Sequence, residues 1–559
     1  MPQVTETMAS VRPSDTPASR ACIGEAPALA GVVAAPARAA GGRTVALIVL
    51  LGATTALCCF GLRDASLNVY DEGVMLTGAA LVQDGALPHR DFWTLYPPGQ
   101  FAVLAGVFDL LGATFESAML LDALVKGAVA ALAAWHAIRL AGLRAGLATW
   151  LLSTLWMWSL GGFRALPTLP ATGLVLAAIA AASTERWNRT RAALAGAWVG
   201  AAVLFRHDFG IPVALVLAVM LGGRSRFTGV RTSSHLAGFA VGAAAIALPP
   251  LLWIAAGDAQ AFLEDLVGFP VTRYAAVRAL PYPPFDSGRA RAPVATVLWL
   301  VPFYLHFLVG ALALVGSIRD RRSDGRAFRV VLLTLAMLVL SAKGLVRPRS
   351  AHLLPVTVLT FTLVPYLLAR HWNWASGRRW RVLVTVSALF VLGGAFARPL
   401  LDDLAAGRLT AAWQLRAGCV PRAVGARLSS EQCAALRYVR ERTRPDEALF
   451  VGTTRHDRVF AGDVAFYFLA ERRPATRYYE LHPGVTTTRL AQEEIVRSLE
   501  AQNVRSVVLF DGFDDRREPN ESSASSGIAV LDEYLRTRFR EVRRYGHHAI
   551  WERTPHSVR

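Results

Sequence analysis

From residue 44 to residue 397 the chain is a succession of apolar runs separated by short charged breaks. The first run, TVALIVLLGATTALCCFGL, covers 44–62, long enough as a helix to cross the ~30 Å of hydrocarbon in a bilayer. Setting such runs against the charge breaks predicts eleven membrane spans: 44–62, 117–138, 145–160, 168–184, 192–205, 209–223, 236–256, 293–316, 330–346, 352–369 and 382–397. The fifth and sixth are short and meet at FRHDFG (205–210), where a bend or tilt is expected. Two more apolar stretches follow the first span. DEGVMLTGAALVQDG (71–85) has the spacing of a short helix lying in the membrane interface and ended by Gly85. GQFAVLAGVFDLLGA (99–113) is interrupted by Asp109 and marginal for a span, so it reads as a second interfacial helix.

Beyond residue 397 the pattern changes. The apolar stretches EALFVG (447–452), RYYEL (477–481) and VRSVVLFDG (504–512) alternate with helical patterns at 486–502 and 528–539. EVRRYGHHAIWER (541–553) has the form of two strands around a glycine turn. Strands alternating with helices predict a small α/β domain. The expected fold class is a polytopic α-helical membrane protein of about eleven transmembrane helices with a C-terminal extracytoplasmic α/β domain. Its parts are a disordered cytoplasmic tail (1–43), a transmembrane domain (44–397) with a first outer loop at 63–116, and the outer domain (398–559). The tail lacks the charge layout of a secretory signal, which makes 44–62 an uncleaved span.

Composition supports the membrane reading: 53% of residues are hydrophobic and the mean hydropathy is +0.37. A net charge of +18 would suggest nucleic acid in a soluble protein. Here the arginines cluster in loops between apolar runs, which accounts for the excess and excludes nucleic acid as the partner. With the N-terminus inside, the inner segments carry 21 basic residues and the outer loops before the last span carry 11. That asymmetry predicts a cytoplasmic N-terminus and an extracytoplasmic C-terminal domain, in a bacterial plasma membrane. Among the five cysteines, Cys58 and Cys59 fall within the first span and Cys22 in the tail. Cys419 and Cys433 share the outer domain, where an oxidising compartment allows a disulfide.

The first loop holds the chemistry. NVYDEG (68–73) sets two adjacent carboxylates, Asp71 and Glu72, beside the membrane surface. They suit a solvated loop, a favourable helix N-terminus, or a working pair. LPHRDFWTLYPPG (87–99) then supplies Arg90, Asp91 and Tyr96 in a Pro- and aromatic-rich turn that a plain connector would not need. The acidic pair, QDGALPHRDF, LYPPG and LLG together resemble the C-type membrane glycosyltransferases, in particular the family-39-like group of protein O-mannosyltransferases and aminoarabinose transferases. The resemblance implies an enzyme that takes a sugar from a polyprenyl-phosphate carrier at the outer face of the membrane. The acceptor is a protein, a lipid or a glycan. The family's acidic residue maps onto Asp71 or Glu72. Members differ in their need for a metal, so the resemblance leaves a divalent cation (Mg or Mn) and its ligands open.

The residues themselves ask for the same chemistry. Sugar transfer to a hydroxyl needs a carboxylate to take the acceptor proton, and cations where charge grows on the leaving phosphate. Arginine suits phosphate by bidentate donation. Arg206, Lys343, Arg347, Arg349 and His352 lie on the outer side and are the phosphate candidates, with Arg273 and Arg278 weaker ones in a flap at 261–284. Asp91 is a candidate for a cation or sugar hydroxyls. The blander alternatives are local pairing of Arg90 with Asp91 and of Arg206 with Asp208, and headgroup snorkelling for the others. Two competing functions, a transporter or flippase for a lipid-linked sugar and a non-catalytic binding protein, differ from the enzyme in lacking turnover. A transporter also favours mid-membrane charges and repeated halves, and no internal repeat is evident.

Overall fold

A computed structural model describes residues 41–554, apart from 160–163, 185–186, 229–231, 285–292, 320–324, 372–386, 389 and 416. Ten of the eleven expected spans coincide with helices: α1 (Gly42–Gly61), α4 (Phe115–Ala141), α5 (Leu143–Trp158), α6 (Thr168–Ala182), α7 (Arg189–Phe205), α8 (His207–Thr228), α9 (Thr232–Gly257), α13 (Pro293–Arg319), α14 (Gly325–Val346) and α15 (Ser350–His371). The intervening labels belong to shorter helices: α2 (Asp71–Gln83), α3 (Gly99–Leu111), α10 (Ala259–Leu263), α11 (Phe269–Thr272) and α12 (Tyr274–Arg278). Six of the described helices are long and apolar enough to cross a membrane, and α3, α6 and part of α8 are shorter apolar helices. Of the expected span 382–397, residues 382–386 and 389 lie outside the described residues, and the rest is helical with a π turn over Gly393–Ala397. Small residues set the helix spacing, as is usual where apolar helices meet without a hydrophobic drive between them. A Cβ on Gly196 or Gly200 of α7, or on Gly242 of α9, would fall 2.0–2.4 Å from the other helix's backbone.

The turn expected at FRHDFG is real. Arg206 is extended between α7 and α8 and breaks the helix path there. The flap is likewise interrupted: α10, a π turn over Glu264–Gly268, α11 and α12 follow one another as single turns.

Above the bundle, β1 (Leu62–Asp64) pairs antiparallel with β2 (Leu409–Ala411), tying the end of α1 to the C-terminal segment. That segment holds a five-stranded sheet in the order β4–β3–β5–β7–β6, with β3 (Ala448–Thr453) parallel to β4 (Arg473–Pro474) and β5 (Ser506–Phe510). β6 (Phe539–Tyr545) and β7 (His548–Arg553) form the expected hairpin against β5. RYYEL is not a strand; β4 stops at Pro474 and the chain leaves the sheet. Cys419 and Cys433 are joined in a disulfide, with Cα atoms 5.9 Å apart.

The reading of α2 as an interfacial helix is corrected. Residues 72–80 are all buried, between α3 and the C-terminal domain. The contact is backbone to backbone: a Cβ on Gly73 would lie 2.4 Å from the Ala465 nitrogen. Ala465 N donates to the Val69 carbonyl at 2.9 Å, and the Thr77 hydroxyl donates to the Val464 carbonyl at 2.9 Å. The glycine of NVYDEG is there to let the second domain in.

Candidate active site

The start of α2 is fixed by Asn68. Its side-chain oxygen accepts from the backbone nitrogens of Tyr70 (3.1 Å) and Asp71 (3.0 Å), and its amide donates to the Asp71 carboxylate at 3.0 Å. Successive residues on a helix point about 100° apart, so Asp71 and Glu72 cannot act as one unit. Asp71 faces a cavity of about 260 Å³. Glu72 turns the other way, into the protein, and accepts from Arg164 Nε at 2.7 Å and from the Asn68 backbone nitrogen at 3.0 Å. Both members of that ion pair are buried, and the Arg164 guanidinium also donates to the carbonyls of Asp64 and Ser66. Glu72 does not line the cavity; it is paired with Arg164 in the scaffold that holds the loop.

Five parts of the chain complete the cavity around Asp71 and Tyr96 of the first loop, the start of α6 among them with Leu166, Pro167 and Thr168. The α7–α8 junction contributes Arg206, the flap contributes Tyr274 and Arg278, and the α14–α15 turn contributes Arg347, Arg349 and His352. The C-terminal domain contributes Phe460, Glu480, His482 and Phe513. Arg278, a weaker candidate in the sequence, sits among the cavity's polar groups: its guanidinium meets the Tyr70 hydroxyl at 3.2 Å and His482 Nε2 at 3.4 Å. Lys343 does not line the cavity but places its ammonium 4.0 Å from the centre of the Tyr274 ring, which does. Arg206 is shared between the cavity and Asp208, to which its Nε donates at 2.7 Å. Arg90 and Asp91 lie outside, as an exposed pair whose Nη2–Oδ2 distance is 2.6 Å; Asp91 also accepts from the Leu87 nitrogen. The local hydrogen bonds engage both oxygens of Asp91, and neither Arg90 nor Asp91 lines the cavity that holds Asp71. Arg273 lines a different cleft, beside Trp93 and Arg477.

Three groups escaped the sequence reading. Arg164 follows a short segment outside the described residues and carries no motif. Glu518 binds Arg347 through both terminal nitrogens, at 2.8 and 2.6 Å, and Arg349 at 2.7 Å. Glu480, inside the RYYEL stretch, accepts from the Tyr70 hydroxyl at 2.7 Å.

Burial raises the Asp71 carboxyl above its ordinary range, against the Asn68 hydrogen bond and the charges of Arg278, Arg347 and Arg349. Burial likewise pushes Glu480 up to about 7, opposed by Tyr70 and Arg278 and reinforced by Asp71. His482 is driven the other way, by burial and then by Arg278, and is held neutral.

The helical bundle with its C-terminal domain is similar in fold to solved C-type membrane glycosyltransferases. ArnT from Cupriavidus metallidurans bound to undecaprenyl phosphate superposes with a TM-score of 0.57 and 14% identity, over 92% of this chain and 99% of that one. Its apo state gives 0.56 and 13%, over 92% and 98%. The archaeal oligosaccharyltransferase AglB from Archaeoglobus fulgidus, in complex with an inhibitory peptide and a dolichol-phosphate, gives 0.52 and 12%, over 93% and 75%. No family profile and no curated protein sequence matches the chain.

Proposed function

We propose that the protein is a glycosyltransferase that moves a sugar from a polyprenyl-phosphate carrier to an acceptor hydroxyl at the outer face of a bacterial plasma membrane. The observation that carries this reading is the meeting of a half-buried carboxylate, Asp71, with Arg206, Arg278, Arg347 and Arg349 in a cavity that Glu480 also lines. An anion with several oxygens suits that ring of guanidinium groups, and the carboxylate suits a proton. Asp71 takes the acceptor hydroxyl's proton as the acceptor oxygen bonds to the sugar's C1. The bond from C1 to the phosphate oxygen breaks, and its electrons leave on the carrier phosphate. Charge growing on that phosphate is met by donors already in place, which is where preorganised electrostatics lowers a barrier most. The carriers in the similar structures, undecaprenyl phosphate and dolichol-phosphate, support this class of donor.

Among the described residues no three His, Cys, Asp or Glu side chains come together as metal ligands. A Mg or Mn ion bound with the donor would have Asp71 and Glu480 as its cavity carboxylates, too few for a site built by the protein alone.

Turnover of undecaprenyl-phosphate-linked sugars by the purified protein tests the reading. Asp71→Asn should lower it by about 10²–10⁴-fold while binding of undecaprenyl phosphate persists. Movement of the lipid across vesicles without turnover would favour a flippase instead. Mass spectrometry of surface glycans from a strain lacking the protein identifies sugar and acceptor. A cytoplasm-only reporter fused after Arg559 should be silent.

A further inference from the structure

We propose that Glu480, delivered by the C-terminal domain, is a specificity-determining residue that accepts a hydrogen bond from a hydroxyl of the transferred sugar. This rests on the glycosyltransferase reading and adds to it the means by which the sugar is recognised.

The geometry is that of a carboxylate with one oxygen used and one left over. Glu480 is 3% exposed and lines the cavity that holds Asp71. Its Oε1 accepts from the Tyr70 hydroxyl at 2.7 Å, whereas Oε2 is buried without a partner among the described residues. A buried polar atom without a partner is destabilising, more so if charged, so an unmatched carboxylate oxygen in a substrate cavity is one that a ligand completes. Tyr70 fixes the carboxylate's orientation and is itself held by Arg278, whose Nη2 lies 3.2 Å from its hydroxyl. A site built this way discriminates strongly, because an analogue lacking the matching hydroxyl leaves the carboxylate unpaired.

Two features place the sugar here rather than the phosphate. A carboxylate repels a phosphate oxygen, and the cavity's arginines offer the phosphate a better seat. Asp71 is the next residue after Tyr70 in the chain, so the group that takes the proton and the group that holds Glu480 stand on one fixed turn. A sugar on Glu480 therefore keeps a set distance from the base.

The test uses the purified full chain, undecaprenyl phosphate, and undecaprenyl-phosphate-linked glucose, mannose and arabinose. Glu480→Gln and Tyr70→Phe should bind undecaprenyl phosphate within two-fold of the parent. Both should bind the preferred sugar-linked donor ten-fold or more weakly. With monodeoxy analogues of that donor, one missing hydroxyl should cost the parent about ten-fold and cost Glu480→Gln less than two-fold, the signature of a coupled pair. Additive losses at every position would overturn the inference. So would lost turnover with unchanged donor affinity, which would make Glu480 a base. If an attached sugar adds nothing to the parent's affinity for undecaprenyl phosphate, the inference fails and the carrier site stands. If the parent binds neither lipid, the proposed function fails too. Because Tyr70→Phe leaves the carboxylate in place, it reads the same contact if the glutamine variant misfolds.

Discussion

Glu518 grips Arg347 through both of its oxygens, at 2.8 and 2.6 Å, and the same Oε1 accepts from Arg349 at 2.7 Å. A single carboxylate from the C-terminal domain thus occupies the two arginines of the α14–α15 turn. The same loop is pinned to the flap, where Asn520 donates to the Ala279 carbonyl at 2.8 Å. Arg347 is buried and Arg349 is 46% exposed at its side chain, so the two should respond differently to replacement.

Arg347→Ala breaks a buried pair and should destabilise the protein by about 3 kcal/mol, read as a fall in the melting temperature in detergent. Arg349→Ala should leave that temperature nearly unchanged and weaken undecaprenyl phosphate binding about ten-fold, the value of a charge-assisted hydrogen bond. Arg349→Lys should recover part of it, lacking the planar fork. Glu518→Gln should lower thermal stability and tighten carrier binding, because the phosphate no longer competes with a carboxylate for the two arginines.

Glu72→Gln separates scaffold from chemistry. It leaves Arg164 buried opposite a neutral amide and should cost about 3 kcal/mol of stability. Turnover per folded molecule should stay near the parent's. Loss of turnover in a fully stable Glu72→Gln protein would return Glu72 to the catalytic pair.

The raised carboxyls set a pH dependence. Between 4.5, the ordinary glutamate value, and about 7, Glu480 is protonated in the folded protein and ionised in the unfolded one. The unfolded state binds fewer protons there, so stability falls as pH rises across that window. Glu480→Gln should flatten this part of a melting-temperature profile. Asp71 must be ionised to act as a base, so turnover should fall on the acid side at a pH above the ordinary aspartate range. An acid limb at an ordinary aspartate pKa would contradict its burial.

The Cys419–Cys433 bond closes a loop with a sequence separation of 14. Cys433→Ser should lower stability by about 3 kcal/mol in the chain-entropy account. In denatured, unreduced protein a thiol reagent should label Cys58 and Cys59, which are free, and reach Cys419 and Cys433 only after reduction.

The membrane helices were legible because apolar length is a local property, and most expected ends fall within a few residues of the observed ones. The place of Asp71 at the cavity was legible because the acidic pair and the rest of the first loop lie together in sequence. What the sequence hid was which neighbour each charge chooses. Asp71 and Glu72 look equivalent as letters, and one step along the helix, about 100°, sends them to different environments. Arg347 reads as a free cation until Glu518, 171 positions away, closes on it. Tyr70 and Glu480 are 410 positions apart, and no periodicity reports such a contact. RYYEL carried the residue, but its apolar letters suggested a strand.

The Gly73–Ala465 approach and the β1–β2 pairing have a consequence for how the protein is made. Residues 68–96 supply one wall of the cavity and residues 460–513 another, and the clamp on Arg347 waits for residue 518. During translation the bundle is threaded long before the cavity exists. The cavity stays incomplete until residues 460–518 fold back onto a turn made hundreds of residues earlier. The C-terminal domain is therefore not an exchangeable cassette: a hybrid carrying a relative's domain needs a matching partner for Gly73 as well as its own glutamate. A truncation before residue 460 removes Phe460, Glu480, His482 and Phe513 from the cavity.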